Sequence, residues 1–401
     1  MKKILFIVID GLGERPIPQL NNQTPLEAAK TPNLDYLAKN GVCGVVQPFK
    51  FTWQPYPTSD VAHLGLFGYD PKKYYLGRGV YETSGIGMKL KKGDVALRVN
   101  FGTVDKNLRI IDRRAQRIEN TQPLVKSCQG IKIKGVEFIL KKSYGHRAGL
   151  ILRGKNLSPE ITDGDPHKIG VKIRKIKPKE KSESAEFTAN ILNQFLEKTH
   201  KILEKHPLNK KRIKQGLLPA NYLLVRGAGQ LKKVPSFKQK YGLSAACIAG
   251  GALYKGIAKI LGMRIIRVPG ATGKPNTNLK NKFFYAKKFL KQYDFIFLHI
   301  KATDNLAEDG NFLEKKKFIE KIDKNISTVS KLNNTLVIVT ADHNTCSLLK
   351  RHCNGAVPLL IWGGNKKDNV SRFSEKDCKN GMLKKIPALN LMKKIFDWQN
   401  F

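Results

Sequence analysis

Asp10, Asp304, Asp342, His343 and His352 offer carboxylate and imidazole donors, a mixture suited to Mn²⁺ or Zn²⁺ and, less well, to Mg²⁺. Any one of them alone reads as a surface acid or a satisfied histidine. The Asp342-His343 pair is harder to set aside, because it directly follows the apolar run Thr335-Leu-Val-Ile-Val-Thr340. A nucleophile candidate stands elsewhere in the chain. Thr58-Ser59-Asp60-Val-Ala-His63 follows the proline-rich Gln54-Pro-Tyr-Pro57 and reads as a helix start, where free N–H groups and the helix dipole favour a phosphate. By itself Ser59 is an ordinary N-cap serine. Beside divalent cations its hydroxyl becomes a nucleophile, since coordination favours the alkoxide. His63, four residues on, suits a structural role as well as a functional one.

These residues lie hundreds of positions apart, so a sheet must gather them. Ile4–Ile9 ends at Asp10, Phe295–Ile300 leads to Asp304, and Thr335–Thr340 leads to Asp342. Short β-branched runs separated by helical segments read as buried strands of a parallel sheet. Ligands of such α/β sheets lie beyond the carboxyl ends of the strands. Thr31 as N-cap, Pro32 in the first turn, Leu34 and Leu37 on one face and Gly41 as stop predict a helix between the first two strands. From about Gly87 to Lys181 the texture changes. Val95–Phe101, Val136–Leu140, Leu150–Arg153 and Val171–Ile176 suggest a strand-rich insert, and Lys177–Ser184 a charged linker before a helix from Ala185 to about His206 that returns to the core. The expected division is therefore a core of 1–86 and 182–401 interrupted by a smaller α+β domain at 87–181.

The 401 residues, 41% of them hydrophobic, suffice for one large domain and a smaller one. Met1-Lys-Lys before Ile4–Ile9 imitates a signal peptide, but the run is too short and reads as a first strand. No stretch approaches a membrane span. Six cysteines without a C-x-x-C pair fit reduced thiols in a cytoplasmic protein, with Cys346 and Cys353 as small buried apolar residues. The 73 Lys and Arg against 32 Asp and Glu give a net charge of +41, which raises the alternative of a nucleic-acid-associated protein. The excess is spread along the chain, as over Glu314–Lys324, where Ile319, Ile322, Ile326 and Val329 mark an apolar helical face. With no nucleic-acid motif beside it, the charge reads as solvated helix faces, and the expected partner is a small anionic substrate rather than nucleic acid or membrane.

Val8-Ile-Asp10-Gly, Thr24-Pro-Leu-Glu-Ala-Ala-Lys-Thr-Pro-Asn-Leu34, Ser59-Asp-Val-Ala-His-Leu64, Gly68-Tyr-Asp-Pro71, Lys301-Ala-Thr-Asp304 and Ala341-Asp-His343 together resemble the archaeal-type cofactor-independent phosphoglycerate mutases of the alkaline phosphatase superfamily. Gly145-His-Arg-Ala148, Thr162-Asp-Gly-Asp-Pro-His167 and Val225-Arg-Gly-Ala-Gly229 extend the resemblance along the chain. It implies an alkaline-phosphatase-like α/β core with a mostly parallel central sheet flanked by helices. It also implies interconversion of 3-phosphoglycerate and 2-phosphoglycerate through a phosphoserine at Ser59, without added 2,3-bisphosphoglycerate. Two metals, usually manganese or magnesium, would be surrounded by Asp10, Ser59, Asp342 and His343 and by Asp304, residue 308 and His352. If water reached the phosphoserine, the same site would be a phosphatase.

Keeping glycerate bound calls for cationic side chains. Arg113, Arg114, His146 and Arg147 in the insert, with Arg226 and Lys301, are the substrate-binding candidates, and Asp112 is a candidate proton relay. One residue departs from the family pattern: the fourth position after Asp304, normally histidine, is Glu308. On a helix Asp304 and Glu308 share a face, so Glu308 can still ligate, with a harder oxygen donor that favours Mn²⁺ or Mg²⁺ over zinc.

Overall fold

The computed structural model describes residues 2–399. The chain forms two compact units, one running up to Tyr75 and from Val234 onward, the other spanning Leu76–Lys233.

The first unit is built on an eight-stranded sheet. Its order is Arg264–Ile265, Ala245–Ile248, Phe295–Ile300, Lys3–Ile9, Thr335–Thr340, Val357–Trp362, Gly41–Gln47 and Lys384–Pro387. Val357–Trp362 runs against both neighbours and the other pairings are parallel, so the sheet is mixed but mostly parallel. Ile4 to Ile9 are all buried, as helices flanking the sheet require, and this explains why the strand is apolar at successive positions rather than at alternate ones. The first strand pairs with Phe295–Ile300 on one side and Thr335–Thr340 on the other. The three acid-bearing strand ends are therefore adjacent.

The helix expected after Thr31 spans Pro32–Lys39, with Leu34 and Leu37 buried. Its first N–H groups are held by Asp323 rather than by the Thr31 side chain: the carboxylate accepts from Leu34 N at 2.8 Å and from Asn33 N at 3.3 Å. Asp323 belongs to the helix Phe312–Ile326, on which Ile319, Ile322 and Ile326 are buried as their spacing implied. Ser59 opens the helix Ser59–Leu66, every residue of which is buried.

The second unit is an antiparallel sheet with helices. Val95–Val104 is central, flanked by Arg147–Arg153 and Tyr222–Gly229. Along it Val95, Leu97, Val99 and Phe101 enter the unit's apolar core with Ile191, Leu192, Phe195 and Leu196 of the helix Glu183–Lys205. That packing shifts the boundaries expected at 87 and 181 to 76 and 233. The long helix covers this sheet instead of leading back to the first one. Val171–Ile176 is also not a strand: the bridge of Lys172 to Arg109 and the hydrogen bonds from Ile110 N to Val171 O at 2.9 Å and from Ile173 N to Leu108 O at 3.0 Å pair only its start, and Arg174 N then turns to Gly164 O. No helix among the described residues is long and apolar enough to cross a membrane.

Candidate active site

Asp10, Asp304, Asp342, His343 and His352 come together at the carboxyl edge of the first unit's sheet. Ser59 Oγ lies 3.1 Å from His343 Nε2. The same nitrogen is 3.1 Å from Asp342 Oδ2 and 3.6 Å from Asp10 Oδ1. On the far side of the ring, His343 Nδ1 is 3.1 Å from Thr345 Oγ1, which donates to Asp304 Oδ1 at 2.6 Å. The His352 ring stacks on His343 with centroids 3.7 Å apart, and its Nε2 is 3.4 Å from Asp304 Oδ1. Two donor groups result, Asp10/Asp342/His343 and Asp304/His343/His352, each with its atoms within 4.8 Å of one another. The expected partition gave His343 to one group alone, whereas here it belongs to both.

Glycine at position 11 makes this convergence feasible. Gly11 has φ of +61°, and a Cβ there would meet Thr345 Oγ1 at 2.4 Å and Asp304 Cβ at 2.8 Å. Its N–H donates to Asp342 Oδ1 at 3.0 Å. Asp342 Oδ2 is buried beside the imidazoles of His343 and His63, at 3.1 and 3.5 Å, but has no well-formed hydrogen bond among the described residues. A buried, under-satisfied carboxylate oxygen beside imidazoles and further carboxylates is a donor set that fits a divalent cation.

The charges are strongly interdependent. Burial, then the Asp342 carboxylate, push Asp10 up to about 6. Burial would raise Asp342 too, but the His343 imidazole outweighs it and holds Asp342 below the usual carboxylate range. Burial opposes the charged form of His343, yet Asp342 and then Asp10 raise it to about 9. Lys301 sits among the acids: its Nζ donates to Asp10 Oδ1 at 3.1 Å and to Asp304 Oδ2 at 2.5 Å.

Two fully buried histidines complete the shell, neither assigned to it from sequence. His299 Nε2 lies 3.0 Å from Asp10 Oδ2, with its ring stacked on Tyr254 at 3.5 Å. His63 Nδ1 lies 2.7 Å from Ser59 O and 3.5 Å from Asp342 Oδ2. A lone histidine inside the apolar run Phe295–Ile300, two residues before Lys301, was the available signal for His299.

Glu308 closes the short helix Ala302–Glu308 that carries Asp304. Its Oε1 is 4.0 Å from His352 Nε2, so Asp304 and Glu308 face the same imidazole. His352 stands on Arg351–Cys353, which pairs antiparallel with Asn344–Cys346 and places His352 opposite Thr345. A disulfide joins Cys346 to Cys353 across this hairpin, against the expectation of reduced thiols at both. Antiparallel pairing brings their Cα atoms to 6.1 Å, within bonding range, at a sequence spacing that no short cysteine motif signals. The other four cysteines are free and buried, as expected. Replacing Cys353 with serine is expected to lower unfolding stability by about 2 kcal/mol, the loop-closure value for so short a ring. Urea unfolding without reductant measures it, and the difference from wild type should vanish in excess dithiothreitol.

The remaining candidates lie in the second unit. Arg113 is committed to Asp165 through a two-pronged pair, Nε–Oδ1 2.9 Å and Nη2–Oδ2 2.7 Å. Asp112 Oδ1 accepts from Arg114 N at 2.5 Å and shapes a turn. His146 is buried, and burial followed by the neighbouring Arg147 pushes it down to about 2, so the ring is neutral. Arg226 Nη1 lies 3.1 Å from His167 Nδ1. Arg78 and Arg98, absent from the sequence candidates, both reach Glu82. An arginine inside the otherwise uncharged strand Val95–Val104 was the signal for Arg98.

A sheet that collects acids, imidazoles and a helix-borne serine at its carboxyl edge defines the chain, as a class, as an α/β enzyme. The family model for 2,3-bisphosphoglycerate-independent phosphoglycerate mutase matches residues 38–209. The chain is 46% identical to the Methanococcus aeolicus protein of that name, with 99% of this chain and 98% of that protein covered. Among solved structures, a Pyrococcus horikoshii protein aligns at TM-score 0.84 and 34% identity, covering 100% of this chain and 97% of its own. The cofactor-independent phosphoglycerate mutase of Thermoplasma acidophilum aligns at TM-score 0.69 and 34% identity, covering 99% and 100%. The chain belongs to the 2,3-bisphosphoglycerate-independent phosphoglycerate mutases, a family of isomerases.

Proposed function

We propose that the chain interconverts 3-phosphoglycerate and 2-phosphoglycerate through a phosphoserine at Ser59, with two divalent metal ions, Mn²⁺ or Mg²⁺. Asp10, Ser59, Asp342 and His343 would hold one ion and Asp304, Glu308 and His352 the other. The observation that carries the reading is Ser59 Oγ at 3.1 Å from His343, a residue that both donor groups share. When bound, such ions activate the serine hydroxyl and neutralise the phosphoryl oxygens.

The remaining tasks fall to side chains. Ser59 Oγ takes the phosphoryl group as the substrate's ester oxygen leaves and regains a proton, releasing glycerate to the site. The other hydroxyl of glycerate then attacks the phosphoserine, losing its proton as Ser59 recovers its own. His63, bonded to Ser59 O, fixes the start of the serine's helix. Lys301 contributes positive charge between Asp10 and Asp304 and is also a candidate to meet the substrate's anionic groups. In the second unit Arg114, His146, Arg147 and Arg226 are candidates to hold the substrate. Arg113 is held by Asp165, and Asp112 by the backbone of Arg114, which argues for positioning roles. A small phosphorylated acid and a cytoplasmic setting complete the reading.

A phosphatase on the same site is the second reading, favoured if water intercepts the phosphoserine. Supplying 3-phosphoglycerate and coupling the product to enolase, with inorganic phosphate followed in parallel, separates the two. Formation of 2-phosphoglycerate without phosphate release is expected. Phosphate release without 2-phosphoglycerate overturns the mutase.

Glu308→His restores an imidazole at the second donor group. The expected outcome is a shift of bound metal towards zinc by about ten-fold relative to Mn²⁺, since imidazole is the softer donor. Metal content after equilibrium dialysis, with turnover for each metal, checks it. If both stay unchanged, Glu308 leaves the ligand set.

A further inference from the structure

Val95–Val104 turns its apolar residues into the core of the second unit, so Arg98 and Asn100 share the opposite face. Both are only 5% exposed. The Arg98 guanidinium has a single ion pair, Nη1 to Glu82 Oε1 at 3.3 Å, and its buried Nε has no hydrogen-bond partner among the described residues. Strand register adds more cations to that face. Arg226 stands directly opposite Arg98 on one neighbouring strand, and Arg147 directly opposite Asn100 on the other. Their Nε atoms, and Asn100 Oδ1, are likewise buried and without a hydrogen-bond partner among the described residues. Arg78 reaches the same Glu82 oxygen at 3.4 Å from one turn away on the helix Arg78–Gly85. That helix can lie this close to the strand because position 79 is glycine, where a Cβ would come 2.1 Å from Ala96 O.

Arg98, Arg147 and Arg226 thus crowd the strands around the Glu82 carboxylate, which Arg78 reaches from its helix. Like charges directly across a sheet destabilise it, and so does a buried cation with an incomplete shell. Arg113 and Asp165 are already paired with each other, so among the described residues Asp165 leaves Arg98, Arg147 and Arg226 carrying more positive charge than Glu82 balances. What offsets such an arrangement is an anion able to accept several forked N–H donors, a carboxylate or a phosphate monoester.

We propose that Arg98 is an anion-gripping residue of the second unit and that Glu82 is its positioning residue, aiming Arg98 and Arg78 at the carboxylate or phosphate of a small organic phosphate. The ligand's identity as phosphoglycerate rests on the function proposed above; the anion site does not. Glu82 touches no ligand. It fixes two flexible side chains in a shared orientation, which lowers the ordering cost at binding.

The sign of one substitution separates positioning from simple charge balance. Glu82→Gln makes the face more cationic by a full charge. If Glu82 serves only to neutralise, the variant binds anions more tightly. If it positions Arg98, the variant binds more weakly despite the added charge. The experiment uses the full-length protein, with KM and kcat for 3-phosphoglycerate and calorimetric titration with 3-phosphoglycerate, D-glycerate and inorganic phosphate. Arg98→Lys accompanies it, because lysine keeps the charge and loses the fork. We expect KM to rise about ten-fold or more in both variants with kcat changed less than about three-fold, as loss of uniform binding requires. Glu82→Asp should recover part of the loss. Weakening with glycerate assigns the site to the carboxylate, and weakening with inorganic phosphate assigns it to the phosphoryl group. Tighter binding by Glu82→Gln, or unchanged titrations in Arg98→Lys, overturns the proposal. If Glu82→Gln fails to fold, Arg98→Lys still decides for Arg98, and Glu82→Asp decides for Glu82. A wild-type protein that binds these anions but makes no 2-phosphoglycerate would sink the mutase reading and leave the anion site standing.

Discussion

Ser59→Ala is expected to lower mutase turnover by about ten-thousand-fold or more, the scale seen when a nucleophile acting with its neighbours is removed. It should also abolish any phosphorylated form of the protein. The substitution is clean because the helix does not depend on the hydroxyl. Ser59 occupies the first helical position, the residue before it makes no side-chain cap, and the surrounding helix is buried throughout. Alanine preserves that packing and removes one oxygen 3.1 Å from His343 Nε2. Intact mass after brief exposure to 3-phosphoglycerate and divalent metal reads the phosphoserine directly, and the enolase-coupled assay reads turnover. A variant that keeps appreciable activity would move the nucleophile elsewhere and dismantle the proposed mechanism.

Asp342→Asn is expected to produce the second largest effect, in the metal-free protein as well as in the metal-bound one. Asparagine retains an oxygen to accept from Gly11 N, the 3.0 Å bond that anchors the first strand's end. What it removes is a negative charge that, after burial itself, does most to raise Asp10 to about 6. The same charge keeps His343 raised to about 9 and is itself held below the usual carboxylate range, so losing this buried pair should outweigh the relief at Asp10 and leave the metal-free protein less stable than wild type. Metal binding should suffer severely, because a carboxylate of the central donor group has become a neutral amide. Turnover is expected to fall about a thousand-fold, and the rise in Tm that Mn²⁺ gives the wild type should largely disappear; saturation a hundred-fold above Kd is worth about 2.7 kcal/mol of stabilisation. Calorimetric scans with and without Mn²⁺ test both halves. A full metal-induced shift in the variant would exclude Asp342 as a ligand.

The strands that carry the acids were readable because burial on both faces writes continuous apolar runs, and each of those runs leads within four residues to an acid that the fold buries. Asp10, Asp304 and Asp342 were legible for this reason. His299 and Arg98 were not, because each sits inside a buried strand, where a single polar residue looks like an interruption of the pattern. The helix after Ser182 was also legible, but its destination was not. Its apolar stripe states only that it covers something, and pairing between Val95–Val104 and Tyr222–Gly229 decides what. Val171–Ile176 had the alternation of a strand, but its backbone follows Leu108–Ile110 only as far as Ile173 before Arg174 N turns to Gly164 O. The Cys346–Cys353 bridge depends on a register of three residue pairs that no spacing rule encodes.

The position of the first strand also bears on the order in which the chain assembles. Both neighbours of Lys3–Ile9 come from distant sequence, Phe295–Ile300 and Thr335–Thr340. At about 5–20 residues per second of synthesis, roughly 20 to 70 s separate the first strand from the second of these partners. During that interval Ile4–Ile9 is an apolar, unpaired segment, while Leu76–Lys233 is already complete and holds all six strands of its own sheet. The second unit is therefore expected to fold first on the ribosome. The acids of the candidate active site would gather only when nearly the whole chain has been made, which places the burden of chaperone protection on the amino-terminal strand.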